Sequence, residues 1–299
     1  MPTKGPLWER LVATTEHALR TGALVPLGTT VVSLADDSGV RFSVRILANL
    51  GKKDEARHQQ DEGADHGKQP NPFLPPDPDL TVAAVGDTHV AVLNRFNVVD
   101  KHLLLVTRHF EEQEMLLTLD DFAALCSCLG EYDSLGFYNG GREAGASQAH
   151  KHLQLVPLPL VPGHASVPVA PLLPAAPLDT PLTAPALPFV HAFVRLGGDT
   201  HVPEQAASRA FALYSTMLRH VGLAAAEPSR PQRQSMPYCF LMTREWMLLV
   251  PRTRECFADI SLNALAFAGS LFVRNEEQYA RLQEAGAMNA LRAVTLPRG

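Results

Sequence analysis

Apolar positions in this chain change period several times, and each change marks an element. In PLWERLVATTEHALRTG, Trp8, Leu11, Val12 and Thr15 recur at helical spacing and Gly22 can end the helix. An amphipathic helix is expected there rather than a secretion signal. Two β-rich runs follow, Thr29 to Ser33 and Val40 to Leu47. GKKDEARHQQDEGADHGKQPNP then breaks the pattern; it is polar, mixed in charge and closed by prolines, which predicts a surface loop. HVAVLNRFNVV and HLLLVTR read as a hairpin turning near Asp100 and Lys101. TLDDFAALCSCLGEY is a helix in which Thr118 caps, Asp121 sits three residues on, and Phe122, Leu125, Cys126 and Leu129 form one face. SLGFYNGG and HKHLQLVPL are two further strands, separated by a short loop.

Between Val156 and Pro188 fall ten of the chain's 24 prolines. Proline fixes φ and supplies no amide donor, so neither a helix nor a central strand is expected after about Pro157. From Leu153 to Pro188 the only charged residue is Asp179, so free disorder is not expected either. The segment reads as an extended connector lying against the body. Beyond it, Ala207, Ala210, Phe211, Tyr214, Leu218 and Val221 share a helical face, and YCFLMTR and WMLLVPR are strands. FLMTREWMLLVPRTRE echoes VLNRFNVVDKHLLLVTRHFEE: strand, polar turn, apolar strand, basic residue. A diverged internal duplication would explain this, and only its first copy is followed by an H-x-H. The expected organisation is residues 1–160, a connector 161–188, and a second, non-catalytic half 189–299.

The 299 residues suffice for a sizeable core, with 46% hydrophobic and 19% charged positions. A net charge of -5 argues against general nucleic-acid affinity while leaving room for a local anion pocket. No stretch approaches a membrane span. Cys126, Cys128, Cys239 and Cys256 form neither a disulfide framework nor a paired zinc motif. They are expected to be reduced packing residues of a cytoplasmic protein.

The chemistry concentrates in YNGGREAGASQAHKHLQLVPLP. Strand period two places His150, His152 and Gln154 on one face, with Lys151, Leu153 and Leu155 on the other. Three readings compete. Two histidines at i and i+2 can grip zinc or iron, but a third ligand is missing from the neighbourhood. A solvated strand edge would need no function at all. In the third reading an imidazole is a nucleophile toward phosphorus, one nitrogen free and the other held by an acceptor. Gly140, Gly141 and Gly145 just upstream allow backbone amides to face an anion, and Asn139, Ser147 and Gln148 add neutral donors. There is no G-K-[ST] ending, so this is not a Walker A loop.

These residues resemble the active-site segment of the diadenosine tetraphosphate phosphorylases, also called ATP adenylyltransferases. They form a branch of the histidine-triad superfamily related in plan to galactose-1-phosphate uridylyltransferase. NPFLPPDPDLTV, LNRFNVVDKHLLLVTRHFEEQ and LMTREWMLLVPRTRECFADISLNALAFAGSLFVRN resemble family segments too, spreading the likeness from about Ala48 to Asn275. The resemblance implies an α+β fold of two histidine-triad-like halves, each an antiparallel sheet with packed helices. It implies His152 as nucleophile, with the main-chain carbonyl of His150 accepting from its Nδ1–H. Gln154 stands where superfamily hydrolases carry a third histidine. Asn139, Gly140, Ser147 and Gln148 match polyphosphate-contacting positions, Lys52 or Lys53 matches a phosphate lysine, and Asn94 and Asn97 match nucleoside contacts.

The activity so implied is phosphorolysis of diadenosine tetraphosphate to ATP and ADP through an adenylyl-histidine. Its partners would be dinucleoside polyphosphate, ATP, ADP and inorganic phosphate. Mg2+ would accompany the nucleotide, and no organic cofactor is expected. The alternatives are another nucleotidyltransferase, a dinucleoside polyphosphate hydrolase, or a non-catalytic nucleotide- or metal-binding protein. Outside this set, Arg244 and Arg252 are expected to be solvated at strand ends, and Glu111, Glu112 and Glu114 to form a solvated face. Asn263 and Ser270 are expected to be satisfied by backbone, and Trp8 and Trp246 to serve packing.

Overall fold

The computed structural model describes residues 5–47, 71–161, 166–197, 202–224 and 231–298. Its frame is an eight-stranded sheet that takes strands from both halves of the chain. The first half contributes β3 (Thr81–Val85), β4 (His89–Leu93), β5 (Leu103–Thr107), β6 (Ser134–Gly140) and β7 (His152–Pro157). The second contributes β8 (Ala192–Arg195), β9 (Tyr238–Met242) and β10 (Trp246–Pro251). The order is β3-β4-β5-β7-β6-β9-β10-β8, and every neighbouring pair is antiparallel. The sheets expected for the two halves are thus one sheet, joined where β6 pairs with β9 from Gly136↔Met242 to Gly140↔Tyr238.

Both faces of this sheet are covered, which is why its central strands read as apolar runs rather than alternating ones. On one face lie α1 (Pro6–Thr21), α2 (Leu119–Glu131) and α3 (Pro203–His220). Leu11, Phe122, Phe211 and Tyr214 from these helices pack with Leu153, Leu155, Tyr238 and Phe240 of the strands. The alternate strand residues, Phe137, Val156, Cys239, Leu241 and Leu248, turn to the opposite layer. There they meet a three-stranded sheet of β1 (Thr29–Ala35), β2 (Arg41–Leu47) and β13 (Ser270–Val273). The short hairpin β11 (Cys256–Phe257) and β12 (Ile260–Ser261), with α4 (Ala264–Phe267), α5 (Glu276–Ala285) and α6 (Ala287–Ala293), completes that layer.

β2 pairs antiparallel with β1 and parallel with β13, so the first half reaches across to the second near the end of the chain. Periodicity cannot show this, because the β2–β13 partners are more than two hundred residues apart. The connector does lie against the body: Val167, Val169, Ala184 and Leu187 are buried in the second core. Thr118 and Asp121 form the expected capping box on α2. The β4–β5 hairpin departs from expectation. β4 ends at Leu93, and Asn94 to His102 form a loop closed by Asn94 N–H donating to the His102 carbonyl, 2.9 Å.

Candidate active site

β7 is held between β5 and β6, with Gln154 opposite Leu104 on one side and Phe137 on the other. Leu153 and Leu155 face the helices, so His152 and Gln154 face the other way, into a cavity of about 1270 Å3. First-half residues line one wall; Ser261, Asn263, Leu265, Ser270 and Arg274 line the other. His150 precedes the strand and sits at an isolated bridge with Glu112.

His152 is 4% exposed. Its Nδ1 lies 2.9 Å from the His150 carbonyl oxygen, which can only accept. The proton therefore sits on Nδ1 and Nε2 keeps its lone pair. Among the described residues nothing bonds Nε2. Burial pushes the imidazole pKa down to about 4, so the ring is neutral at physiological pH.

His150 is fixed by a chain of bonds with one possible polarity. Phe73 N–H donates to Asn71 Oδ1 at 3.0 Å, which turns Asn71 Nδ2 toward His150 Nδ1, 2.8 Å away. His150 Nε2 then donates to the Thr107 carbonyl at 2.9 Å. The Phe73 ring lies 5.7 Å from His150 and 5.5 Å from His152, and Phe110 lies 5.4 Å from His150.

The last register pair between β6 and β7 toward the site is Phe137↔Gln154. Beyond it a side chain stands between the strands. Gln113 Oε1 accepts from His152 N–H at 2.8 Å, while its Nε2 donates to the carbonyls of Asn139 at 2.9 Å and His152 at 3.2 Å. One buried amide thus replaces the ladder beside His152. On the helix face, Lys151 is fully buried. Its ammonium reaches Asp121 at 2.6 Å, Glu111 at 3.2 Å and the Leu116 carbonyl at 3.1 Å. Asp121 also receives His89 at 3.0 Å. Burial alone would push the Asp121 carboxyl up, but Lys151 and His89 hold it well below the usual carboxylate range.

The two amides beside His152 are anchored by their oxygens. Asn139 Oδ1 accepts from Ala264 N–H at 2.9 Å, and Gln154 Oε1 accepts from His102 Nε2 at 2.9 Å. Each leaves its NH2 end for the cavity, which both residues line. Ser147 and Gln148 line the cavity as well. Gly141 and Gly145 have φ of +87° and +93°, and a Cβ on Gly145 would sit 2.8 Å from the Asn263 side chain, so this loop needs glycine to pass the second half. Gly140 lies outside the cavity lining. It makes room for Gln234, whose Nε2 donates to its carbonyl at 2.9 Å.

Asn94 lines the cavity but bonds His102 at 3.2 Å. Asn97 does not line it; its Nδ2 donates to the Val99 carbonyl at 2.9 Å. Lys52 and Lys53 lie outside the described residues. Arg45 of β2 and Arg274 line the cavity. Arg45 donates to the Leu160 carbonyl at 2.9 Å, its Nε has no partner, and among the described residues no carboxylate pairs with it. Burial lowers its pKa.

Several of these residues escaped sequence reasoning. Gln113 is hidden in HFEEQEMLL, where the adjoining glutamates point to solvent; it is the one uncharged position within EEQE. Arg252 is not solvated but fully buried. Its guanidinium donates to the carbonyls of Val294, Arg254 and Glu255 and packs over Phe267. Arg244 bonds the Leu129 carbonyl and Asp133. Asn263 caps α4 through Leu265 N–H at 3.0 Å. Trp8 packs on Tyr132 at 5.1 Å, and Trp246 is buried. The cysteines are unpaired, with the Cys126 and Cys128 thiols pushed up by burial to about 12. Among the described residues no group of three or more His, Cys, Asp or Glu could hold a metal ion. No helix of the described residues is long and apolar enough to cross a membrane.

Comparison with known proteins bears on both halves. The model of the Ap4A phosphorylase N-terminal domain matches residues 1–175, and that of the ATP adenylyltransferase C-terminal domain matches residues 185–297. The chain is 28% identical to diadenosine 5',5'''-P1,P4-tetraphosphate phosphorylase 2 of Saccharomyces cerevisiae over 269 residues, covering 82% of this chain and 79% of the relative. Two crystal structures of the yeast Ap4A phosphorylase Apa2 are similar in fold. The complex with AMP has a TM-score of 0.77 and 24% identity, covering 100% of this chain and 99% of that one. The complex with Ap4A has a TM-score of 0.76 and 21% identity, covering 100% of both chains. With both family models matched in order along its length, the chain belongs to the Ap4A phosphorylase, or ATP adenylyltransferase, family.

Proposed function

We propose that this chain is a nucleotidyltransferase that phosphorolyses diadenosine tetraphosphate to ATP and ADP, with His152 as nucleophile. The observation that carries this reading is the His152 Nδ1 bond to the His150 carbonyl inside the cavity. It leaves a neutral Nε2 with its lone pair available, among amide donors and cations.

His152 Nε2 attacks an α-phosphorus, ATP leaves, and adenylyl-His152 remains. An oxygen of inorganic phosphate then attacks the same phosphorus, the P–N bond breaks with its electron pair returning to Nε2, and ADP leaves. The N–P bond keeps the adenylyl group activated, so the sequence also runs in reverse. The Asn139 and Gln154 NH2 groups with Ser147 and Gln148 would receive charge developing on phosphoryl oxygens, whereas the Ala144, Gly145 and Ala146 amides are spent on carbonyls of their own loop. Mg2+ enters as part of the nucleotide substrate. The unpaired buried thiols fit a reducing compartment, and the chain is read as cytoplasmic.

Incubation with α-labelled diadenosine tetraphosphate, without phosphate and under quench, tests this. The expected product is an acid-labile, alkali-stable protein label, absent in His152→Ala. Added phosphate should convert it to ADP. Release as AMP alone would identify a hydrolase, and an unlabelled protein would refute the nucleophile.

A further inference from the structure

The polarity of a short relay beside the nucleophile is fixed by one backbone amide. Phe96 N–H donates to Asn94 Oδ1 at 3.3 Å. That leaves Asn94 Nδ2 facing His102 Nδ1 at 3.2 Å, so Nδ1 must accept. A neutral imidazole then carries its proton on Nε2, which donates to Gln154 Oε1 at 2.9 Å. His102 is 5% exposed and its ring lies 5.8 Å from Phe137. Burial lowers its pKa to about 4, so it stays neutral and the relay keeps one direction.

We propose that His102, held by Asn94, is a positioning residue that fixes which end of the Gln154 amide faces the cavity, and so favours phosphate over water as the acceptor of the adenylyl group. This rests on the phosphorolysis assigned above. With Oε1 occupied, Gln154 offers the cavity only N–H donors. Those bind phosphoryl oxygens of the adenylyl group or of the incoming phosphate. Phosphate as the dianion attacks without giving up a proton: its P–O bond forms, the P–Nε2 bond breaks, and ADP leaves. Water must also lose a proton to solvent as its O–P bond forms, giving AMP. An acceptor beside the phosphorus would orient water for that loss, and the relay withholds one. If Gln154 turned over, its carbonyl would supply it.

The test is the partition of isolated adenylyl-enzyme, made with labelled dinucleotide and chased with a fixed, subsaturating concentration of inorganic phosphate. In His102→Leu the ADP:AMP ratio should fall on the order of tenfold, the scale of one buried hydrogen bond. His102→Gln retains a donor and should hold the ratio within about threefold of the parent. Gln154→Glu turns an acceptor oxygen to the cavity and should also lower the ratio. A folded His102→Leu that labels normally and keeps the parental ratio overturns the proposal, whatever happens to its kcat. If His102→Leu does not fold, an unchanged ratio in Gln154→Glu overturns it. Failure of the parent protein to label at all would instead refute the underlying reaction.

Discussion

His191 repeats the hydrogen bond of His152. Its Nδ1 lies 2.8 Å from the Phe189 carbonyl two residues back, as His152 Nδ1 lies 2.9 Å from that of His150. The difference is at the other nitrogen. His191 Nε2 accepts Ala184 N–H at 2.8 Å, whereas His152 presents Nε2 to a cavity. A fixed tautomer is thus a structural device in one place and, on the proposed reading, a nucleophile held ready in the other.

That device has a pH signature. Burial pushes the His152 imidazole down from its ordinary 6.5 to about 4. The acid limb of the kcat/KM profile should therefore lie near pH 4 to 5, with nucleophile loss only below it. A limb near 6.5 assigned to His152 by direct NMR titration of the imidazole would contradict the geometry.

Burial pushes the His102, His152 and His191 imidazoles each down to about 4 in the folded state. The unfolded chain binds more protons than the folded one between about pH 4 and 6.5, so stability rises with pH across that window. It is lost as pH falls, by about 1.4 kcal/mol per pH unit for each histidine within the window. Urea midpoints measured from pH 4.5 to 7 should shift accordingly. Replacing His191 with Gln should flatten the slope.

Gln113 holds the gap between β6 and β7. Gln113→Leu strands the His152 N–H and two carbonyls, and should cost about 2–4 kcal/mol of stability. It should also slow adenylyl transfer by at least about tenfold, because the backbone of the nucleophile is released. Denaturant titration together with single-turnover labelling checks both.

Lys151→Met should cost about 3–5 kcal/mol by leaving Asp121 buried without its cation. Lys151→Met with Asp121→Asn should cost less than the lysine change alone. A double-mutant cycle in urea reads this directly, and additive losses would count against the pairing.

Arg45→Met should raise KM for the dinucleotide on the order of tenfold, the loss of one charged hydrogen bond. Steady-state kinetics with the dinucleotide checks this.

Much of the site is legible in the amino-acid sequence. Period two puts His152 and Gln154 on one face, and the capping box at Thr118 needs only local spacing. What the chain does not reveal depends on closure in three dimensions. Lys151 reads only as a charged residue on the face of Leu153 and Leu155 until Asp121 arrives from another element. Gln113 reads as part of an acidic surface until two strands part around it. Arg252 reads as a strand-end cation until the carbonyls of Val294, Arg254 and Glu255 converge on it. Buried polar groups are decided by partners, and those partners lie far along the chain.

The β6–β9 ladder has a mechanical consequence. Five register pairs join the halves through the middle of the large sheet, at the strand that carries Asn139. A clamshell motion of the halves would have to break that seam. On the proposed reading, a dinucleotide enters and two mononucleotides leave beside a continuous run of backbone hydrogen bonds between the halves.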